Sequence, residues 1–250
     1  MNILAIDTTT KVASVAIKKE NEIIEKSIDN KITHSEKLLP LIDETLKKSN
    51  IKISDIDMFA CISGPGSFTG IRIGLATIKA FSHVLNKEIF AISTLECLAI
   101  KVYEESKNFK NKKISYIASF IDAKNSRAYF SIYKLYTNNE NKIICKNLID
   151  ISNSDIVEAI DKTYELFSKL NLQNSSIIFC GDVIENYKED ILNKFNSKNS
   201  NIEFYNSYPG TKDILFSIDN LENKNKYLNN TFSLDAIYAR LSQAERTQNE

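Results

Sequence analysis

The sequence has little glycine, little histidine, no paired cysteine motif and no excess of either charge. Of its 250 residues, 6 are glycine, 2 are histidine and 4 are cysteine, and 32 Lys and Arg balance 32 Asp and Glu. Because the charges balance, no overall field attracts nucleic acid or an anionic membrane, so any contact with a polyanion must be local. Since 43% of the residues are hydrophobic, the chain can nevertheless bury a large core.

The cysteines and the first residues indicate the compartment. Cys61, Cys97, Cys145 and Cys180 lie far apart and form no C-x-x-C pair, which is typical of buried, reduced thiols. The opening stretch MNILAIDTTT enters a strand pattern at once and leaves no room for a secretory leader. No apolar run approaches the roughly 18 residues that a membrane span needs. We therefore expect a cytoplasmic protein without membrane contact.

Hydrophobic periodicity predicts two successive units of strands and helices. The predicted strands are 2–7, 12–18, 22–29, 57–62, 89–92, 114–122, 127–135, 142–149, 176–182 and 202–205, and the predicted helices are 33–49, 69–85, 93–106, 153–170 and 183–196. The repetition indicates a duplicated, two-lobed α/β architecture. We place the first lobe at 1–108, the second at 109–230 and a tail at 231–250, with the basic tract KNFKNKK (107–113) as a solvated connection.

Several motifs occur in a fixed order along nearly the whole chain. They are ILAIDTTT (3–10), HSEKLLPLI (34–42), SGPGSFTGIRIG (63–74), STLECLA (93–99), IDAKNSRAYFSIY (121–133) and IYARLSQAER (237–246). Together they resemble the TsaB family, also called YeaZ, and the glycine-rich block is the most specific of them. The resemblance implies an actin- and hexokinase-like ATPase fold with two RNase H-like lobes and mixed sheets.

The resemblance also implies a role and partners. Proteins of this family act in making threonylcarbamoyladenosine next to the anticodon of tRNA, where the paralogue TsaD is the transferase and TsaE is an ATPase. For this chain the resemblance implies a subunit that binds TsaD-type and TsaE-type partners and forms a homodimer when alone. It further implies contact with tRNA only through the complex, no cofactor in the isolated chain, and ATP at the level of the complex.

Glycine is missing where ATPases of this fold place it. They hold phosphate in a D-x-G-[ST] hairpin turn, because a Cβ there would keep the backbone away from the anion. Here the matching stretches are DTTT (7–10) and DAKN (122–125), and Gly181 is followed by an aspartate instead of a second glycine. The residues left near a vestigial nucleotide position are Asp7, Thr8, Thr9, Gly64, Gly66, Ser67 and Asp122.

Asp7 has two interpretations, and the rest of the chain offers little for catalysis. It is either a carboxylate close to magnesium or phosphate, or a turn residue that hydrogen-bonds its own backbone, and we favour the turn. His34 has Leu38 four positions later where a metal-binding helix would place a second histidine, so we expect no metal. GPGSFTG is not a G-x-S-x-G nucleophile motif. We expect no catalytic residue, with a free-standing ATP-dependent kinase or ATPase, or a glycoprotease-like peptidase, as the alternatives.

The stretch CISGPGSFTGIRIG (61–74) holds four of the six glycines and requires an explanation. It is not a phosphate-binding P-loop, because Ile71 follows Gly70 where that motif needs Lys. Two glycines in one helix cost up to about 1 kcal/mol each relative to alanine, so close approach of another helix would offset the cost. We therefore predict a partner interface. Its predicted residues are Leu38, Leu41, Ile42, Thr45, Gly70, Gly74, Thr77 and Phe81.

Overall fold

The computed structural model describes residues 1–10, 12–29, 34–106, 109, 111, 113–170, 175–195 and 201–239. The chain divides into two compact units. The first comprises Met1–Thr94, Pro209–Asp219 and the described residues from Asn223 onward, and the second comprises Leu95–Tyr208 and Asn220–Glu222.

The first unit is built on a six-stranded mixed sheet. Its elements are β1 (Asn2–Asp7), β2 (Val12–Lys19), β3 (Glu22–Asp29), α1 (His34–Ser49), β4 (Met58–Ile62), α2 (Phe68–Leu85), β5 (Ile89–Ile92), α6 (Thr211–Asn220) and β11 (Leu228–Asn229), with short 3-10 turns at Ile53–Asp55 and Lys224–Tyr227. The strand order is β11-β5-β4-β1-β2-β3. Strands β1, β2 and β3 pair antiparallel, whereas β4 pairs parallel with both β1 and β5.

The second unit is built on a five-stranded mixed sheet. Its elements are α3 (Thr94–Glu105), β6 (Ile114–Asp122), β7 (Arg127–Thr137), β8 (Ile143–Asp155), α4 (Ile156–Ser168), β9 (Ser175–Cys180), α5 (Ile184–Phe195) and β10 (Asn201–Tyr205). The strand order is β10-β9-β6-β7-β8. Strands β6, β7 and β8 pair antiparallel, and β9 pairs parallel with both β6 and β10.

The two sheets share one topology. In each, three antiparallel strands are followed by a helix and two parallel strands, and the first strand lies at the centre between the second and the fourth. This is the strand order of an RNase H-like lobe, so the predicted α/β fold with two such lobes is confirmed. The parallel strands are almost wholly apolar, as β4 illustrates with the buried run MFACI, because helices cover parallel strands on both faces.

Each unit has its own hydrophobic core. In the first unit, Leu4, Ile6 and Phe59 of the sheet pack with Ile71 and Ile78 of α2. In the second unit, the core is aromatic and is formed by strand residues and by residues of α4 and α5. Its fully buried phenylalanines are Phe120, Phe130, Phe167, Phe179 and Phe195.

The division of the chain differs from the predicted lobes 1–108, 109–230 and 231–250. The second unit begins at Leu95, and the segment Pro209–Asp219 belongs to the first unit. The reason is hydrogen bonding: Thr211 of α6 donates to Glu25 of β3 at 2.7 Å, and β11 pairs with β5. Of the predicted connection 107–113, residues 107, 108, 110 and 112 lie outside the described residues, as does the tail from 240.

Among the described helices, none is both long enough and apolar enough to cross a membrane.

Candidate functional site

The turn after β1 is fixed by Asp7, which is buried at the end of that strand. Its Oδ1 accepts hydrogen bonds from the backbone N–H of Thr9 at 2.9 Å and from the hydroxyl of Thr9 at 2.7 Å. An aspartate that accepts from the backbone two residues later forms an Asx turn. The structure therefore shows Asp7 in the turn arrangement favoured from the sequence.

Burial raises the pKa of two side chains here, Asp7 in the turn and Cys61 on β4. It raises the pKa of Asp7 to about 6, an effect that the two hydrogen bonds from Thr9 oppose and the charge of Asp213 reinforces. Cys61 at the end of β4 is buried too, and burial raises the pKa of its thiol to about 12. This thiol therefore stays protonated at neutral pH and is a poor nucleophile or metal ligand.

The glycines of α2 make room for the turn itself. The hydroxyl of Thr8 donates to the carbonyl of Gly70 at 2.7 Å. A Cβ on Gly70 would overlap the carbonyl oxygen of Thr8, and a Cβ on Gly74 would overlap the Thr8 hydroxyl. The prediction that these glycines admit a partner helix is therefore wrong, because both are buried against the chain's own β1 turn.

The N-terminus of α2 is already satisfied by groups of the same unit. The N–H of Ser67 donates to the carbonyl of Thr9 at 2.8 Å, and the N–H of Gly70 donates to the Ser67 hydroxyl at 3.2 Å. A Cβ on Gly66 would lie 2.6 Å from the Thr9 carbonyl oxygen. The position that a phosphate would take at a Gly-rich helix start is thus filled by Thr9.

The first glycine of the block serves a different neighbour. Gly64 has φ +106°, and a Cβ there would lie 2.7 Å from the carbonyl oxygen of Ile237. The N–H of Ile237 donates to the carbonyl of Ser63 at 2.8 Å, and the N–H of Thr94 donates to that of Gly64 at 2.8 Å. A residue from the C-terminal part of the described chain, Ile237, therefore packs against this turn.

The second unit repeats the turn with other residues. Oδ1 of Asp122 accepts from the N–H of Lys124 at 2.7 Å, and Oδ2 pairs with the Lys124 ammonium. The N–H of Asp122 donates to Oδ1 of Asp182 at 2.9 Å, while Oδ2 of Asp182 accepts from the hydroxyl of Tyr208. Burial and the adjacent Asp182 raise the pKa of Tyr208, so it remains a donor. At the end of β6, a carboxylate of the chain itself therefore accepts the hydrogen bond from the backbone N–H of Asp122.

The structure also shows what the sequence-predicted site residues do. Asp7, Thr8, Thr9, Gly66 and Ser67 are brought together, and Gly64 lies in the same loop, whereas Asp122 belongs to the second unit. Asp182 and Tyr208 were missed. The GD dipeptide after a buried strand is a sequence pattern that could have indicated Asp182, but nothing near Tyr208 in the sequence distinguishes it.

Most of the predicted interface residues are core residues. Leu38, Leu41, Ile42 and Thr45 are all less than 4% exposed, and the hydroxyl of Thr45 donates to the carbonyl of Leu41 at 2.6 Å. These four residues of α1 face their own sheet, so the interface assigned to them is wrong. Thr77 and Phe81 are half-buried, and the ring of Phe81 stacks on that of Phe59 at 5.8 Å between centroids.

The exposed apolar surface of these helices lies on another face. On α2 it consists of the half-buried Ile73 and the exposed Ala76, Ala80 and Val84, of which Val84 is 79% exposed. Leu39 of α1 is 56% exposed. We call the four α2 residues the outer helix face.

Sequence reasoning also missed a cluster at the start of α2. The guanidinium carbon of Arg72 lies 3.8 Å from the ring centroid of Phe68, and its Nε donates to the hydroxyl of Tyr238 at 3.0 Å. Phe68 and Arg72 are four residues apart, the spacing of neighbours on a helix, so this pair was visible in the sequence. Tyr238 could not be found in this way.

The described residues contain no group of three or more His, Cys, Asp or Glu side chains that could hold a metal ion. His83 is exposed and meets the edge of the Phe232 ring at 6.1 Å, and the side chain of His34 lies outside the described residues. The hydroxyls of Ser63 and Ser67 bond to backbone groups, at Ile92 and Gly70. No side chain near the glycine loop is thus arranged as a nucleophile and base among the residues described.

Comparison with known proteins agrees with these features. A family model described as "TsaD: tRNA N6-adenosine threonylcarbamoyltransferase" matches residues 22–243. The "tRNA threonylcarbamoyladenosine biosynthesis protein TsaB" of Buchnera aphidicola (subsp. Schizaphis graminum) is 30% identical over 213 residues, which are 85% of this chain and 90% of that protein. The chain belongs to the TsaB family. TsaB of Escherichia coli K12 is 31% identical over 134 residues, 54% of this chain and 55% of that protein.

A solved structure extends the agreement to the fold. The structure described as "YeaZ from Pseudomonas aeruginosa" superposes with a TM-score of 0.70 at 19% identity and covers 95% of this chain and 99% of that one. At this identity the match shows the fold alone. The resemblance of the sequence motifs to the TsaB family is therefore confirmed by relatives and by architecture.

Proposed function

We propose that this chain is a non-catalytic subunit that binds and supports a TsaD-type transferase in forming threonylcarbamoyladenosine next to the anticodon of tRNA. Membership of the TsaB family supports a role in tRNA threonylcarbamoyladenosine biosynthesis. We further propose that the chain acts by binding its partner in the cytoplasm and that a TsaE-type ATPase joins the complex. The tRNA contacts the chain only within that complex.

One observation supports the non-catalytic role above the others. In both units, a backbone N–H next to the Asp7 or Asp122 turn donates to an acceptor of the chain itself. The N–H of Ser67 donates to the carbonyl of Thr9, and the N–H of Asp122 donates to the carboxylate of Asp182. Binding of a phosphate at either place would first require breaking these bonds, each worth about 0.5–1.5 kcal/mol and more where a charge is involved.

The same observation supports the proposal that the isolated chain binds no nucleotide and that ATP acts at the level of the complex. Isothermal calorimetry of the isolated chain with ATP and Mg²⁺ tests it, and we expect no heat of binding. Micromolar affinity would favour a kinase or ATPase instead.

The outer helix face supports a partner. Ile73, Ala76, Ala80 and Val84 present a continuous apolar stripe, whose small alanines allow another helix to approach closely. Exposed apolar patches of this kind commonly mark protein–protein contacts. We propose that this face binds either a second copy of the chain or the TsaD-type partner, so that homodimer and heteromer compete.

The experiment that tests the function is reconstitution. The chain is co-purified with a TsaD-type partner, and tRNA modification is measured with each subunit omitted in turn. We expect modification to depend on this chain. Full modification in its absence would refute the proposal.

Ala80→Arg tests the surface without disturbing the core, because Ala80 is exposed. We expect weaker self-association in light scattering and weaker capture of the TsaD-type partner. The control Asn186→Arg places the same charge at an exposed position on α5. Gly74→Leu is unsuitable, since a side chain there would collide with Thr8. Equal binding by Ala80→Arg and the control would exclude this face.

A further inference from the structure

A pair of lysines faces one tyrosine on the sheet of the second unit. The ammonium of Lys134 on β7 and that of Lys146 on β8 each lie 5.9 Å from the ring centroid of Tyr136. Lys134 is also 5.7 Å from the ring centroid of Tyr116 on β6. Tyr136 and Lys134 are half-buried, and Lys146 is exposed. We call Lys134, Tyr136 and Lys146 the lysine–tyrosine patch.

Strand register explains why these side chains meet. Tyr116 pairs with Lys134, and Lys134 pairs with Lys146, so the three form one row across β6, β7 and β8. Residues paired across strands lie on the same face, and Tyr136 is two positions from Lys134, so it shares that face. At the inner end of the row, the ring of Tyr116 packs against the ring of Phe167 of α4, with the ring centroids 5.9 Å apart.

The row places two like charges next to each other, which costs free energy. Like charges placed directly opposite on neighbouring strands destabilise the pair. Neither Lys134 nor Lys146 forms an ion pair with a carboxylate in the described part of the chain, whereas Lys162 and Lys194 on and beside α4 both do. Among the described residues, the two ammonium groups therefore face the tyrosine rings and no carboxylate partner.

We propose that the lysine–tyrosine patch contacts a strand of RNA, with the two ammonium groups on successive phosphates and the Tyr136 ring beside a base. Cations flanking a partly exposed aromatic ring on a sheet are a recurrent arrangement for single-stranded RNA, since every base can stack on the ring. Because the chain has no net charge, such contact has to come from a local group of this kind. The inference rests on the proposed function for its RNA, which is the tRNA of the transferase complex.

The decisive variant is Lys134→Gln/Lys146→Gln, which removes both charges and keeps most of each side-chain stem. The control is Lys19→Gln/Lys188→Gln, which removes the same total charge from two half-buried lysines outside the patch. Lys188 is a close match because its ammonium also lies over a ring, that of Phe204, at 5.4 Å, with no second lysine over that ring among the described residues. Circular dichroism and thermal melting establish that both variants fold.

Two assays are used. The first is the KM of the reconstituted complex for unmodified tRNA, and the second is the affinity of the same complex for fluorescein-labelled tRNA, measured by anisotropy across a salt series. We expect the patch variant to raise KM by at least about five-fold with little change in kcat. We expect it to lower the slope of log K against log salt by about 1.4 to 1.8, because each lost phosphate contact removes about 0.7 to 0.9. Tyr136→Leu should weaken binding without changing the slope.

The outcomes separate this inference from the proposed function. If modification does not require the chain but labelled tRNA still binds through the patch, the proposed function fails and the patch stands. If modification requires the chain and the patch variant matches its control, the patch is refuted and the lysines only cover the rim of the core. Loss of capture of the TsaD-type partner with unchanged tRNA affinity would make the patch a protein contact and would also overturn the proposal.

Discussion

Replacing Asp7 with asparagine should change the stability of the protein in a pH-dependent way. The two side chains have nearly the same shape, and the carbonyl oxygen of the amide can still accept from the N–H and hydroxyl of Thr9, as Oδ1 does now. What the substitution removes is the ability to carry a buried negative charge. The difference in unfolding free energy between variant and wild type therefore measures the cost of that charge.

The magnitude follows from the acidity. Burial raises the pKa of Asp7 from 3.8 to about 6. Since one pKa unit corresponds to about 1.36 kcal/mol, ionisation of Asp7 costs the folded state about 3 kcal/mol relative to the unfolded chain.

The sign is set by which state holds the proton more tightly. The folded state has the higher pKa, so well below pH 3.8 both states are protonated and this cost is absent. As the pH rises from 4 to 6, the unfolded chain releases its proton first, and the wild type loses stability. Well above pH 6 both states are ionised, and the cost is complete and constant.

The assay is urea unfolding followed by circular dichroism, at intervals from pH 4 to pH 8, for wild type and Asp7→Asn. We expect the unfolding free energy of the variant, relative to wild type, to rise by between about 2 and 3 kcal/mol across this range, because a small part of the cost is already present at pH 4. A constant offset from the new amide N–H groups would not alter that rise. Asp150→Asn, at an exposed position, controls for the change in formal charge. A difference that stays flat from pH 4 to pH 8 would refute the assignment of a desolvated carboxylate.

Three further predictions concern backbone and thiols. Gly181→Ala should destabilise the second unit by more than about 2 kcal/mol in the same urea assay, because Gly181 has φ +119° and a Cβ there would overlap the carbonyl of the neighbouring strand; a near-neutral effect would contradict the packing. Ser126→Gly should stabilise by about 0.5 kcal/mol, since Ser126 holds φ +56° in an exposed turn, and a loss of stability would show that its side chain matters. Burial raises the pKa of Cys61 and of Cys180 to about 12, so both should react with iodoacetamide only after unfolding. The half-buried Cys145 should be labelled first, as followed by mass spectrometry. Rapid labelling of Cys61 in the native protein would contradict its burial.

The elements were largely predictable because their apolar residues repeat with the period of the structure. β6 runs from Ile114 to Asp122, as predicted, and α2 begins one residue earlier than expected, at Phe68. Short runs bounded by polar residues sufficed for this. β8 was predicted to end near 149 but continues to Asp155. The prediction stopped too early because the later residues are mostly polar, and it is their pairing with β7 that keeps them in the strand.

The purpose of the glycines was not predictable from the sequence. Periodicity marks Gly70 and Gly74 as one stripe of a helix but cannot say what the stripe meets. The answer is Thr8, 62 positions before Gly70, whose backbone and hydroxyl fill the space that a Cβ would take. For the same reason, the stripe of α1 that includes Leu38 and Leu41 was assigned to a partner when its own sheet covers it.

The return of the chain to its first unit has a consequence for biosynthesis. The residue that closes the glycine loop, Ile237 against Gly64, is added by the ribosome only after the whole of the second unit. β11 and Leu234, which complete the sheet and core of that unit, are also made late. The inserted unit, by contrast, is continuous from Leu95 to Tyr208 except for a short return at Asn220–Glu222. The N-terminal unit, although synthesised first, should therefore finish folding after the unit encoded in its middle.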